Sequence, residues 1–136
     1  MKYYTKLTVV ALTVLFASIS LVAQEKAKST TTSFKGYLVD KMCGVGIVKS
    51  GDAKKATERA MKHTRACALE EHCKESGYGL VMGAMFHKFD AAGDKMAEQY
   101  LTKSKKKDNF LVEVKGTADG EMIKVASIGE PKSENK

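Results

Sequence analysis

The sequence lacks the short motifs that mark several common enzyme and redox classes. It has no G-x-S-x-G of serine hydrolases, no H-E-x-x-H of zinc proteases and no phosphate-cradling glycine loop. It also has no C-x-x-C pair, which counts against a thioredoxin-like redox centre. The only proline, Pro131, lies in the last six residues, and no internal repeat is visible. Nothing in these patterns argues for an enzyme, so binding or structural roles are favoured.

Residues 1–23 have the composition of an export signal. Two lysines, Lys2 and Lys6, precede an apolar run that ends at Ala23, and charge returns at Glu25. We expect cleavage after Ala23 and a periplasmic or extracellular protein. The alternative is an uncleaved membrane anchor, although the run is slightly short for a span of about 20 residues. No cysteine follows the run closely, which counts against a lipid anchor.

The chain that remains after this signal, about 113 residues, is long enough for one domain with a modest core. Without Lys2 and Lys6, 21 of the 23 basic residues remain against 16 acidic ones, which gives a net charge near +5. We interpret this excess mostly as a solvated face. Nucleic acid is not favoured as a partner of an exported protein, whereas an unknown small ligand or an anionic envelope surface is. The sequence does not predict the oligomeric state.

Hydrophobic periodicity and glycine signals predict five short strands and two helices between a flexible lead-in, 24–33, and a loose tail, 130–136. The strands are predicted at 34–40, 78–82, 85–90, 110–116 and 121–128, and the helices at 53–76 and 91–104. The 53–76 helix is expected to begin after a polar cap at 50–52 and to stop at Gly77. Residues 42–48 contain two glycines, which favour a bend or loop.

A two-residue turn at Gly83-Ala84 predicts a hairpin in which Met82 lies opposite Met85, Leu80 opposite His87 and Tyr78 opposite Phe89. The last two strands are joined over 117–120. Five strands with a helix between the third and the fourth are typical of an OB-fold. We therefore predict, over 34–129, a mostly β domain with helices. It is a five-stranded OB-fold-like barrel with a helical insertion between strands 1 and 2. A ferredoxin-like or other α+β sandwich is the alternative.

Three cysteines are an odd number for an exported protein. His63 and Cys67 are four residues apart and share one face of the predicted helix. Cys67 and Cys73 are six residues apart, which places them on different faces and about 9 Å apart along a continuous helix. A bridge between them would need the helix to break, because a disulfide requires Cα atoms within about 7 Å. Cys43 can reach either helix cysteine more easily.

Three interpretations follow from these cysteines. In the main one, Cys43 forms a disulfide with Cys67 or Cys73 and tethers the inserted helix of a non-enzymatic binding or structural module. In the second, Cys43, His63, Cys67 and Cys73 bind a soft metal, either zinc or copper. In the third, a neighbouring cation such as Arg65 or Lys74 lowers the pKa of one thiol, which exchanges disulfides.

A second set of soft donors lies around the predicted hairpin. Met82, Met85 and His87, together with Met42 beside Cys43, could bind copper. Methionines that face Leu80 and Phe89 are more simply explained as core residues, with His87 partly exposed at the rim, and we favour that explanation. His72 is expected to face solvent because Glu70, Glu71 and Lys74 flank it.

One run of residues extends over nearly the whole predicted domain. It opens as Gly36-x-x-x-Asp40-x-x-Cys43, continues as His63…Cys67…Cys73 with Ser76-Gly-Tyr-Gly79, and closes with Asp108-Asn and the strand 123–128. In this run the chain resembles a group of small exported bacterial proteins. The resemblance implies an OB-fold-type barrel and an exported location, and it implies no particular activity.

Overall fold

The computed structural model describes residues 30–132. The predicted export signal, 1–23, lies outside the described residues, as do 24–29 of the lead-in and 133–136 of the tail. Within residues 30–132 no helix combines the length and the apolar character needed to cross a membrane.

Five strands and five helices make up the described chain. The strands are β1 (Thr32–Asp40), β2 (Tyr78–Met82), β3 (Met85–Phe89), β4 (Leu111–Asp119) and β5 (Met122–Gly129). The helices are α1 (Lys41–Val48), α2 (Ala53–Met61), α3 (Arg65–Ala68), α4 (Glu71–Ser76) and α5 (Ala91–Lys103). The five predicted strands and the helix between β3 and β4 are confirmed.

The strands form one sheet in the order β1-β2-β3-β5-β4, and β4 pairs again with β1. Four of the pairings are antiparallel, whereas β3 and β5 are parallel and share only the pairs Lys88–Met122 and Phe89–Ile123. The predicted hairpin register is confirmed, with Met82 opposite Met85. The protein is therefore a mixed α/β domain, a five-stranded sheet with helices.

Strand alternation divides the apolar residues into two clusters, one on each face of β1 and β2. Leu38 and Leu80 belong to the larger cluster, which also contains Leu101 of α5, while the partly buried Met96 and Tyr100 pack against it. Val39 and Val81 point to the other face, where a smaller cluster includes residues of α1 and α2, namely Ile47, Ala56 and Ala60. The smaller cluster fixes α1 and α2 against the sheet.

The loop predicted at 42–48 is wrong, because these residues form helix α1. The Asp40 carboxylate accepts a hydrogen bond from the Cys43 amide at 2.9 Å, which caps the helix. Gly44 serves close packing and not a bend, since a Cβ atom there would lie 2.5 Å from the Phe86 ring. The chain therefore starts a helix directly after β1 and holds Cys43 close to the sheet.

The single helix predicted over 53–76 is also wrong, because the chain breaks it twice into α2, α3 and α4. At the first break Thr64 is extended, and its hydroxyl accepts a hydrogen bond from the Cys67 amide at 3.2 Å. At the second break Glu70 is extended before α4 begins. The predicted stop at Gly77 is confirmed, with φ 84°. Neither break contains glycine or proline, so the sequence shows a continuous helical periodicity across both of them.

The ends of the predicted domain also differ in detail. β1 begins at Thr32, inside the predicted lead-in, and β4 continues through the predicted turn to Asp119. In the predicted tail, Glu130 accepts hydrogen bonds from the Tyr100 hydroxyl at 2.7 Å and the Lys106 ammonium at 2.8 Å. Glu130 therefore contacts Tyr100 in the last turn of α5 and Lys106 just beyond it.

Candidate metal centre

The three cysteines occupy equivalent positions in three helices. Cys43 is the third residue of α1, Cys67 the third of α3 and Cys73 the third of α4. Side chains in a first helical turn lean toward the helix N-terminus. The starts of these helices lie close together, so that the three thiols converge. The two helix breaks are what bring Cys67 and Cys73 to one place.

Four potential ligand atoms meet at this point. The three cysteine sulfurs and one carboxylate oxygen of Asp40 all lie within 4.8 Å of one another. The sulfurs of Cys43 and Cys67 are 3.8 Å apart. Around a tetrahedral zinc ion with Zn–S bonds of about 2.3 Å, two sulfurs are separated by about 3.8 Å. The other atoms would need to approach by no more than about 1 Å to complete a tetrahedron.

Asp40 is a fully buried carboxylate whose two oxygens have different partners. Its relative exposure is 0%. Oδ1 accepts the Cys43 amide hydrogen, and Oδ2 lies 2.9 Å from His63 Nε2. The direction of that second contact does not meet hydrogen-bond geometry, so Oδ2 and both His63 ring nitrogens lack a well-formed hydrogen bond. Buried polar atoms are costly to leave unpaired, and a cation beside Asp40 would supply a partner for its carboxylate oxygen.

His63, predicted as a metal ligand, lies behind Asp40 and is not one of the four clustered groups. Its side chain is almost fully buried. Carboxylates that bind metals are commonly held by a neighbouring polar group. Each carboxylate oxygen has more than one lone-pair site, so contact with His63 leaves Asp40 able to accept a metal. The structure thus brings together three of the four predicted ligands and adds Asp40.

The thiols and the carboxylate favour opposite protonation states in the metal-free site. Burial, the nearby Asp40 charge and the Cys67 thiol raise the pKa of Cys43 to about 12. Burial, Asp40 and Cys67 likewise raise the pKa of Cys73 to about 11. Burial also opposes the charge on Asp40, but His63 and the Cys43 amide outweigh it and hold the pKa of Asp40 below its usual value.

The shifts at Cys43 and Cys73 do not favour thiol exchange at these two sulfurs. The pKa values of both thiols are raised and not lowered, so few thiolates form there to attack a disulfide. Arg65 donates its guanidinium hydrogen to the Ser104 carbonyl. Lys74 pairs with Glu71 at 3.1 Å, and with Glu98 at 3.7 Å. Both predicted activating cations therefore have other partners.

The predicted disulfide from Cys43 is not formed, since all three cysteines are free. The sulfurs of Cys43 and Cys67 are 3.8 Å apart, whereas the two sulfurs of a disulfide bond are about 2.05 Å apart. Cys43 nevertheless contacts the inserted helical segment, as predicted, through the thiol of Cys67.

The methionines of the predicted copper cluster differ in their exposure. Met82 packs against the core, whereas Met42 and Met85 are each 55% exposed. The explanation of Met85 as a core residue is wrong, because its strand places it at the exposed end of the β2–β3 hairpin. His72 is exposed, as predicted, and its Nε2 atom lies 3.5 Å from a Glu70 carboxylate oxygen.

No family model, curated protein or solved structure matches this chain. Function is therefore inferred from the geometry of the site.

Asp40 is the ligand candidate that sequence reasoning missed. A usable signal was present, because a potential helix cap stands three residues before every cysteine. These caps are Asp40, Thr64 and Glu70. A cap followed at that spacing by a cysteine predicts a thiol in the first turn of a helix. Only the folded chain shows that the three helix starts meet.

Proposed function

We propose that the protein is a zinc-binding module whose site consists of Cys43, Cys67, Cys73 and Asp40. The observation that carries this proposal is the convergence of three sulfurs and a buried carboxylate oxygen within 4.8 Å. A four-coordinate set with no position left for substrate is typical of structural zinc and not of catalytic zinc. The proposed role is therefore binding, without catalysis.

The composition of the set favours zinc over the other soft metal considered. Three thiolates exclude magnesium and calcium, which prefer oxygen ligands. Copper(I) also binds thiolates, but the carboxylate of Asp40 is a hard oxygen donor that zinc accepts readily. Within residues 30–132, the basic side chain in contact with the Asp40 carboxylate is His63, at 2.9 Å. Zinc uses all four groups.

Zinc would link short helices that have little stability of their own. Cys67 lies in α3, a helix of only four residues, and Cys73 lies in α4, a helix of six. Helices of this length are unstable without tertiary contacts. Because such a site forms only in the folded chain, the binding free energy of zinc adds to folding stability. The ion would hold α1, α3 and α4 at the end of β1.

The proposal also covers the type of fold and the place in the cell where the protein is found. The strand order, with α5 between β3 and β4, supports an OB-fold-like barrel in which α1–α4 are the insertion between β1 and β2. The apolar run in 1–23 supports export to the periplasm or cell exterior. The excess of basic residues supports an anionic envelope surface as partner, with an unknown small ligand as the alternative.

A second candidate function rests on the contact of 3.8 Å between the Cys43 and Cys67 sulfurs. In an oxidising compartment these two thiols could be joined in a disulfide that tethers α3 to α1, which leaves Cys73 as the single free thiol. The protein would then be a disulfide-tethered binding or structural module without a metal.

A zinc titration of the reduced, purified chain against a chromogenic competing chelator tests the main proposal. We expect one zinc ion per chain, and we expect a stoichiometric amount of copper(I) to compete without occupying a second position. Intact mass after thiol capping is the companion measurement. The zinc-loaded chain should resist capping, and three thiols should react after the metal is removed and the chain is unfolded.

The outcomes separate the two candidates. A chain recovered from an exporting host with one cappable thiol and no bound metal would contradict the zinc proposal and support the disulfide. Three cappable thiols with no affinity for zinc or copper(I) would contradict both.

A further inference from the structure

Cys73 belongs to two sets of potential metal ligands. One is the buried set described above, and the other consists of Glu70, His72 and Cys73. In each set the ligand atoms lie within 4.8 Å of one another. Cys73, whose sulfur belongs to both sets, is 1% exposed, whereas the side chains of His72 and Glu70 are 59% and 57% exposed. The second set therefore connects solvent to the buried sulfurs.

The arrangement of Glu70 leaves its carboxylate available. Glu70 occupies the N-cap position of α4, but its side chain accepts no capping hydrogen bond. It lies instead beside the His72 ring, with 3.5 Å between Oε2 and Nε2. Carboxylate, imidazole and thiolate are all zinc ligands, and three of them leave one position for water.

The charges around the site differ between its two sides. The cavity that reaches Cys43 and His63 is also lined by Arg59 and Lys62. A second cavity, of about 430 Å³, lies beside α1 and β3 and does not include these residues. Arg59 and Lys62 oppose the approach of a divalent cation. On the Cys73 side the cation Lys74 is paired with Glu71 and Glu98, so it does not offset Glu70. The field therefore favours approach past Glu70 and His72.

We propose that Glu70, His72 and Cys73 form a capture site through which zinc reaches the buried ligands. The inference rests on the proposed zinc-binding function. Zinc first binds the three capture ligands and keeps its bond to the Cys73 sulfur throughout. The bonds to Glu70 and His72 then break as bonds to Cys43, Cys67 and Asp40 form, and the thiol protons pass to solvent. No oxidation or reduction occurs.

In the proposed sequence of steps the two sets hold zinc in turn, because the ion leaves Glu70 and His72 as it binds the buried ligands. At saturation the buried set holds the ion, since it supplies three thiolates where the capture set supplies one. Removal of a capture ligand should therefore change the rates of binding and release without changing the final affinity. A ligand of the final site would instead change the affinity.

The test compares stopped-flow zinc uptake by the metal-free full chain with uptake by His72→Gln and Glu70→Gln variants. His87→Gln is the matched control, because His87 lies in β3 and belongs to neither ligand set. We expect each capture variant to bind zinc roughly tenfold more slowly and to release it more slowly by the same factor, with unchanged affinity. The control should bind at the parent rate.

Parent-like uptake and release by both variants would overturn the capture site while leaving the zinc-binding function intact. Two zinc ions per chain at saturation would also overturn it, because the sets would then be filled together. Failure of the parent chain to bind zinc would overturn the proposed function and, with it, this inference.

Discussion

Replacement of Cys67 by serine is expected to lower the affinity for zinc by more than about 100-fold. Loss of a group that only supports a metal ligand costs 10- to 100-fold, roughly, so loss of a ligand should cost at least that much. Serine matches cysteine in size but offers a neutral hydroxyl in place of a thiolate. Cys67 is only partly buried, so the substitution should leave the fold intact. A competition titration at neutral pH measures the change.

The neighbouring substitution Ala66→Ser is the matched control, because it adds a hydroxyl to the same four-residue helix without removing a sulfur. It should bind zinc as the parent does. If Cys67→Ser retained parent affinity while its fold was unchanged, Cys67 would not be a ligand, and the set would reduce to Cys43, Cys73 and Asp40.

Replacement of His63 by alanine should destabilise the metal-free chain by about 3–5 kcal/mol. The Asp40 carboxylate is fully buried and lies 2.9 Å from His63 Nε2, so the substitution leaves a buried charge without its partner. Zinc beside Asp40 would supply a new partner, and the loss should therefore be smaller in the zinc-loaded chain. Urea unfolding with and without saturating zinc measures both values.

The control for His63 is the exposed His72. His72→Ala should change the free energy of unfolding by no more than about 0.5 kcal/mol, because the side chain is mostly exposed. A His63→Ala deficit of the same size with and without zinc would indicate that the ion does not contact Asp40. A deficit below about 1 kcal/mol without zinc would contradict the buried-pair explanation itself.

The strands could be predicted because their signals are local. Alternation in Val112 and Val114, and the glycine at the Gly83-Ala84 turn, depend on neighbouring residues alone, and the sheet confirms both. Helix α5 was predictable for the same reason, with Leu101 on its buried stripe. β4 and α5 show a clear periodicity because each packs one face against the larger apolar cluster.

The helices around the cysteines could not be predicted because their signals depend on tertiary contacts. Gly44 suggested a bend, and only the Phe86 ring against α1 shows why a glycine is needed within a helix. The breaks before α3 and α4 lack glycine and proline, and the first is stabilised by the buried contact between His63 and Asp40. Spacing along the chain placed Cys67 and Cys73 on different faces of a helix that does not exist.

The candidate site was predictable in its sulfurs and not in its oxygen. Three cysteines in one chain suggested first a tethering disulfide and second a common soft-metal site, and the structure brings the three sulfurs together without a disulfide. In the sequence Asp40 is recognisable only as the last residue of a strand. The pattern does not show that Asp40 also caps α1 and therefore lies beside the thiols. One carboxylate thus caps the helix that carries Cys43 and stands next to its sulfur.

X-ray absorption at the zinc edge of the loaded chain is the most direct measurement of the coordination set. The structure predicts three sulfur neighbours at about 2.3 Å and one oxygen at about 2.0–2.2 Å. The same measurement on Cys67→Ser should show two sulfurs or no bound metal. A spectrum of the parent chain with only nitrogen and oxygen neighbours, or with a single sulfur, would contradict the convergence of the three thiols and Asp40 on one ion.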